Sequence, residues 1–263
     1  MTANRLIETL HATRAAGRMA LCGYFLAGYP TPDAFFHMVR AARNLDVFEF
    51  GIPADDPALD GPVIAQAHEV VTRNRGIHAE PALALIGGVS DLPQPSFVMT
   101  YSAVGRTLDG FLRLCVKNGV HGILAPDIDA AEGAMVATRA RALGLASVTL
   151  LDARATDEQV RWSVDHGDLI YVKASVGKTG EAIEIAGELR DLLASIIQRV
   201  RALKPDALIG VGIGLQKPEQ IAALAALDLD MAIVGTKIVE YVQKGDQALV
   251  AYIQTLREAT AYR

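Results

Sequence analysis

Between residues 48 and 62 the chain reads FEFGIPADDPALDGP. Glu49 stands between two phenylalanines, and Asp55, Asp56 and Asp60 follow among prolines and glycines. A strand sealed on both faces reads as a short apolar run, and an unpaired ionised carboxylate inside one is costly unless it is hydrogen-bonded or shifted in pKa. An acid that stays in such a place is suited to chemistry.

Two other groups of residues carry chemical possibilities. Three glycine-bearing segments, SVGKTGEA, GVGIGLQKPEQ and VGTKI, lie in the last third of the chain. Backbone N–H groups freed by glycine, facing the N-terminus of a short helix, bind phosphate through hydrogen bonds and the helix dipole. Gly180, Gly212, Gly235 and Thr236 are the candidates for that task. Lys173, in LIYVKAS, is two residues from Tyr171 and therefore on the same face of a strand. A lysine desolvated there can act as a nucleophile, or it can simply pair with Glu49 or another carboxylate.

The elements that must position these groups follow from hydrophobic period. Short apolar runs occur at 19–27, 47–51, 96–101, 121–127, 146–151, 168–174, 207–213 and 231–235, and segments of helical period separate them. Eight strand–helix units predict a single (β/α)8 TIM barrel spanning residues 1–263, with a doubly wound open sheet as the structural alternative. The segment MTANRLIETLHATRAAG predicts an extra N-terminal helix, and the C-terminal helical region from Lys237 onward is expected to break near Gly245. In a barrel, chemistry sits on the loops after the C-terminal ends of the strands. Within the second strand Val47 and Glu49 share one face, and Phe48 and Phe50 the other. With the aromatics on the helices, Glu49 points into the barrel mouth.

Composition narrows the function. A formal charge of -5, with lysines and arginines scattered, speaks against a dedicated nucleic-acid binder. Cys22 and Cys115 stand alone, with neither a disulfide framework nor zinc-ligand spacing. No apolar segment is long enough to span a membrane and the N-terminus lacks the apolar core of a signal peptide, so a cytoplasmic location is expected. No cofactor is expected. Asp55 and Asp56 with Glu49 would be the carboxylates for a divalent metal, but with no histidine nearby in sequence no metal is expected.

The strand-two segment EFGIPADDPALDGP resembles the E-L-G-x-P-[FY]-S-D-P-x-A-D-G-P pattern of the tryptophan synthase α-subunit family. FLAGYP, VMTY, APDI, GKTG, GVGI and IVGTKIV match further segments of that family, in the same order over essentially the whole chain. The resemblance implies a lyase that cleaves indole-3-glycerol phosphate to indole and glyceraldehyde 3-phosphate. It implies Glu49 as general acid/base and Asp60 as the carboxylate that receives the indole N–H. Tyr171 would touch the reacting end, Tyr24 and Tyr101 would line the pocket, and Thr179 and Gly180 fall in the matching GKTG loop. A tryptophan synthase β subunit is the implied partner, beside a small phosphorylated substrate.

Several positions depart from the family. Ala54 and Asp55 stand where an aromatic and a serine are usual, Leu26 replaces a usual threonine, and Asp129, Asp152 and Arg154 replace residues that are commonly proline or small. Lys173 stands where an apolar residue is usual, and YVKASVGKTG resembles the deoxyribose-phosphate aldolase segment that carries a Schiff-base lysine. Two rivals therefore accompany the main reading: a lyase or aldolase on another phosphorylated substrate using Lys173, and a non-catalytic barrel serving as an activating subunit. Retention of both Glu49 and Asp60 argues against the second.

Overall fold

A computed structural model of the chain describes residues 4–101, 108–174 and 184–262, so Thr179 and Gly180 lie outside the described residues. The eight strands are β1 (Ala20–Leu26), β2 (Val47–Gly51), β3 (Ser96–Met99), β4 (Gly122–Leu124), β5 (Ala146–Asp152), β6 (Leu169–Lys173), β7 (Leu208–Gly212) and β8 (Met231–Val234). Each pairs in parallel with the next, and β1 pairs with β8 from Ala20↔Met231 to Gly23↔Val234. That last pairing closes the barrel and excludes the open sheet.

The alternation along β2 divides its side chains as the sequence predicts. Phe48 and Phe50 stack at 5.6 Å between barrel and helices, where Phe35 meets Phe50 edge-on at 5.6 Å. Phe35 comes from α2 (Pro32–Ala41), which Thr31 caps by accepting the Ala34 N–H. Val47 turns the other way, into an interior cluster with Cys22, Phe97, Leu169 and Met231. Leu6 and Leu10 of α1 (Arg5–Ala15), both fully buried, join that cluster and plug the barrel at the N-terminal ends of its strands.

The connection between β2 and β3 differs from the sequence expectation, which has one helix there. Two form, α3 (Pro62–Thr72) and α4 (Ala79–Gly87). Gly76, with φ of 64°, ends the first in a backbone conformation that glycine adopts without strain, and the short apolar run PALALIG forms the second. The remaining helices are α5 (Leu108–Lys117), α6 (Ala130–Ala142), α7 (Asp157–His166), α8 (Gly187–Leu203), α9 (Pro218–Ala225), α10 (Thr236–Lys244) and α11 (Asp246–Glu258). The expected C-terminal break falls at Gly245, with φ of 98°. Among the described residues no helix is long and apolar enough to cross a membrane.

Candidate active site

A cavity opens at the C-terminal ends of the strands. Two regions of different chemistry line it. One wall holds Glu49, Asp60, Tyr24 and Tyr171; the other holds Ile213, Gly214, Leu215, Gln216, Gly235 and Thr236. Leu59, Ile64, Met99, Leu124, Pro126 and Leu150 supply an apolar lining suited to a flat aromatic ring.

Glu49 is 3% exposed, and no cation forms an ion pair with it among the described residues. Burial, and secondarily the charge of Asp60, pushes its carboxyl up to about 8. A carboxyl near neutrality can act as both acid and base at physiological pH. Asp60 is also buried, but it is solvated by protein donors. The Tyr101 hydroxyl donates to its Oδ2 at 2.8 Å, and His68 Nε2 stands 3.5 Å from the same oxygen. Tyr101 thus acts on Asp60, while Tyr24 and Tyr171 reach the cavity directly. Burial raises the pKa of all three phenols, which keeps them as O–H donors.

His68 is not among the residues that the sequence singles out, since it is not close to Glu49, Asp55 and Asp56 along the chain. It sits on the buried face of α3, the helix that begins directly after Asp60 and Gly61. Ile64, Ala67, His68 and Val71 share that face at helical spacing, so a polar residue in the stripe was the available signal.

The second wall is mainly backbone. Ile213 has φ of 68° and Gly214 φ of 89°. For a β-branched residue such a conformation is strained by roughly 1–3 kcal/mol, and strain of this kind collects at functional sites. Gly235 forms the N-cap of α10 without a side chain to cap it, so the first N–H groups of that helix are open to a ligand at the cavity wall. Gly235 and Thr236 therefore stand where an anion would be held. Gly212 lies one residue behind the wall. A Cβ there would run into the Tyr171 hydroxyl, as one at Gly51 would run into that of Tyr24. Each glycine ends its strand and seats a tyrosine of the neighbouring strand.

Lys173 does not join the cavity lining. It faces its cross-strand neighbour Asp152, with Nζ 3.6 Å from Oδ2, so its partner is a carboxylate of the mouth other than Glu49.

Comparisons with known proteins identify what the chain is similar to. A sequence model of the family described as tryptophan synthase alpha chain matches residues 10–261. The tryptophan synthase alpha chain of Mycobacterium ulcerans is 30% identical over 269 residues, covering 99% of this chain and 96% of that one. That of Methanosarcina acetivorans is 30% identical over 232 residues, covering 86% and 82%. Among solved structures, tryptophan synthase from M. tuberculosis in an aminoacrylate-bound form superposes with a TM-score of 0.86 at 27% identity, covering 98% of this chain and 100% of that one. Subunit alpha from Legionella pneumophila gives 0.85 at 25% identity, covering 98% of each. The chain belongs to the tryptophan synthase alpha chain family.

Proposed function

We propose that this chain cleaves indole-3-glycerol phosphate by a retro-aldol reaction, with Glu49, Asp60 and Tyr171 as its catalytic residues. The observation that carries the reading is the pairing of two buried carboxyls in unlike surroundings: Glu49 pushed up to about 8, Asp60 supplied with donors. Glu49, protonated at neutral pH, gives its proton to carbon three of the indole. The ring nitrogen becomes cationic, and Asp60 accepts its N–H and balances the charge. Glu49, now a carboxylate, takes the proton of the glycerol hydroxyl next to the ring. The carbon–carbon bond breaks, its electron pair returns to the ring as neutral indole, and the hydroxyl carbon becomes the aldehyde. Glu49 ends protonated, ready for another turnover. The two carboxyls divide the work because their surroundings differ.

The phosphate fits the backbone wall of Ile213–Gln216 and the open N-terminus of α10 at Gly235 and Thr236. Tyr24 suits contact with the ring. A β subunit is the partner that this reading brings, and the exposed Asp55, Asp56 and Leu59 beside the mouth, with Leu59 42% exposed, are suited to meet it. Two free, buried cysteines support a cytoplasmic setting. Incubation with indole-3-glycerol phosphate, followed by mass spectrometry, should yield indole and glyceraldehyde 3-phosphate in many turnovers per chain. Intact substrate with folded protein would overturn the assignment.

A further inference from the structure

The tautomer of His68 is dictated by its surroundings. The Ala54 backbone N–H, which can only donate, points at Nδ1 from 3.0 Å. Nδ1 must therefore present its lone pair, and the ring proton must sit on Nε2. Nε2 lies 3.5 Å from Asp60 Oδ2 and 3.5 Å from the Tyr24 hydroxyl, in a site where His68 is 1% exposed, Tyr24 3% and Asp60 5%. Among the described residues, the contacts that Tyr101 and His68 make with the Asp60 carboxylate both fall on Oδ2.

We propose that His68 is a positioning residue for Asp60: held as the Nε2–H tautomer by Ala54, it directs its proton to Oδ2 and so presents Oδ1 to the substrate N–H. This rests on the function proposed above. The device spans the active loop. Ala54 opens the segment that follows β2, Asp60 closes it, and His68 reaches back from α3 to touch both ends. Segment and helix are thereby registered to each other by one imidazole. The 3.5 Å separations are long beside the 2.8 Å bond from Tyr101, and hydrogen bonds of a catalytic site commonly shorten when substrate charge develops. A neutral donor suits the task, since a full cation beside Asp60 would compete with the cationic ring for the same carboxylate.

Two substitutions separate the two ends of the ring. His68→Asn keeps an acceptor near the Nδ1 position for Ala54 but loses the donor to Asp60. His68→Gln reaches the Nε2 position with an amide donor but abandons Ala54. If His68 positions Asp60, the Asn variant should lose about tenfold or more in kcat with KM little changed, as expected for loss of a hydrogen bond to a charged group, while the Gln variant recovers a large part of that loss despite a lower Tm. In an Asp60→Asn background the Asn substitution at 68 should cost nothing further. An Asn variant with the kcat of the wild type, or a loss that persists undiminished in the Asp60→Asn background, would reduce His68 to a structural cap. A measurement free of substrate accompanies these. Nitrogen-15 spectra of the imidazole should show the Nε2–H form, with the Nε2 resonance shifted by Asp60→Asn. A ring protonated at Nδ1 would overturn the assignment even if the substrate proved to be another compound. A wild type that releases no indole, but shows the Nε2–H signature and its response to Asp60→Asn, would sink the proposed function and leave the positioning of Asp60 standing.

Discussion

The two ends of the barrel treat carboxylates in opposite ways. At the base, the residue just before each even-numbered strand accepts a backbone N–H from the strand before it. Asp46 takes that of Leu21, His121 that of Ser96, Asp168 that of Ser147 and Asp230 that of Ile209, at 2.8–3.3 Å. The three aspartates are also paired with arginines: Asp46 with Arg18 and Arg257, Asp168 with Arg141, and Asp230 with Arg14 and Arg201. Burial lowers the pKa of His121, aided by the charge of Arg5, which keeps its ring an acceptor. At the mouth, Glu49 is 3% exposed, close to the 1% of Asp230, but has no arginine or lysine paired with it among the described residues. The base uses its carboxylates to hold the barrel shut; the mouth keeps one without a paired cation among the described residues. Removal of a paired, buried carboxylate is strongly destabilising, whereas an unpaired one is itself a cost to the fold.

The largest expected effect tests that contrast at the mouth. Glu49→Gln should lower kcat by about a hundredfold to ten-thousandfold, the range for losing a general acid/base. It should not lower stability. The folded pKa of about 8 lies above the ordinary 4.5, so the unfolded chain gives up its proton first and the folded state loses stability as pH rises from 4.5 to 8. The Gln variant lacks this loss, so its advantage in urea denaturation should grow across that window and level off above it. A wild type whose stability is flat there, with an active Gln variant, would break the comparison.

The matching substitution at the base is Asp230→Ala. It strands the Ile209 N–H and two arginines around a site that is 1% exposed, and should cost about 3 kcal/mol of stability. Its distance from the mouth predicts a kcat within about twofold of wild type under conditions where the protein is folded. A collapse of kcat in a folded variant would show that base and mouth are coupled.

Gly212→Ala sharpens the contrast between the two walls of the mouth. The sequence suggests Gly212 as a phosphate contact, which predicts a change mainly in KM. Its place behind Tyr171 predicts otherwise: the new methyl displaces the phenol, so kcat should fall by about tenfold while KM changes less. A pure KM effect, measured on indole-3-glycerol phosphate, would restore Gly212 to the anion wall.

How far the sequence could be read follows from the range of the interactions involved. The eight strands were legible because parallel strands buried on both faces are short apolar runs, and Glu49 was legible because it interrupts one. The break at Gly245 was visible because glycine permits the φ of 98° found there. The second helix after β2 was not, since PALALIG is too short and too uniformly apolar to show a helical period. His68 and the seat at Gly212 were hidden for a different reason. Each depends on a tertiary contact, Ala54 and Asp60 around one ring and Tyr171 over one glycine, that local patterns do not encode. The repeated acceptors at the base lie in LDV, VHG, GDL and LDM; three share an Asp before the first residue of a strand, but such short contexts are common, and their joint role shows only when closure of the barrel brings them together.

The smallest effect is expected at the residue that departs most from the family. Lys173 competes for the role of nucleophile only if its amine reaches the substrate carbonyl. Its Nζ instead stands 3.6 Å from Asp152, with the two side chains 25% and 41% exposed, outside the lining of the cavity. An exposed pair of this kind contributes about 0.2–1 kcal/mol, so Lys173→Met should leave stability nearly unchanged and kcat within about twofold. In the proposed function Glu49, Asp60 and Tyr171 supply an acid–base route that needs no imine, which predicts that borohydride added during turnover traps nothing on the peptide containing residue 173. An imine would lose water as it forms and be reduced to a stable secondary amine, so the mass increase is unambiguous. A specific adduct at Lys173, absent from the Met variant, would move the chemistry from the strand-two wall to the end of β6 and make this barrel an imine-forming aldolase.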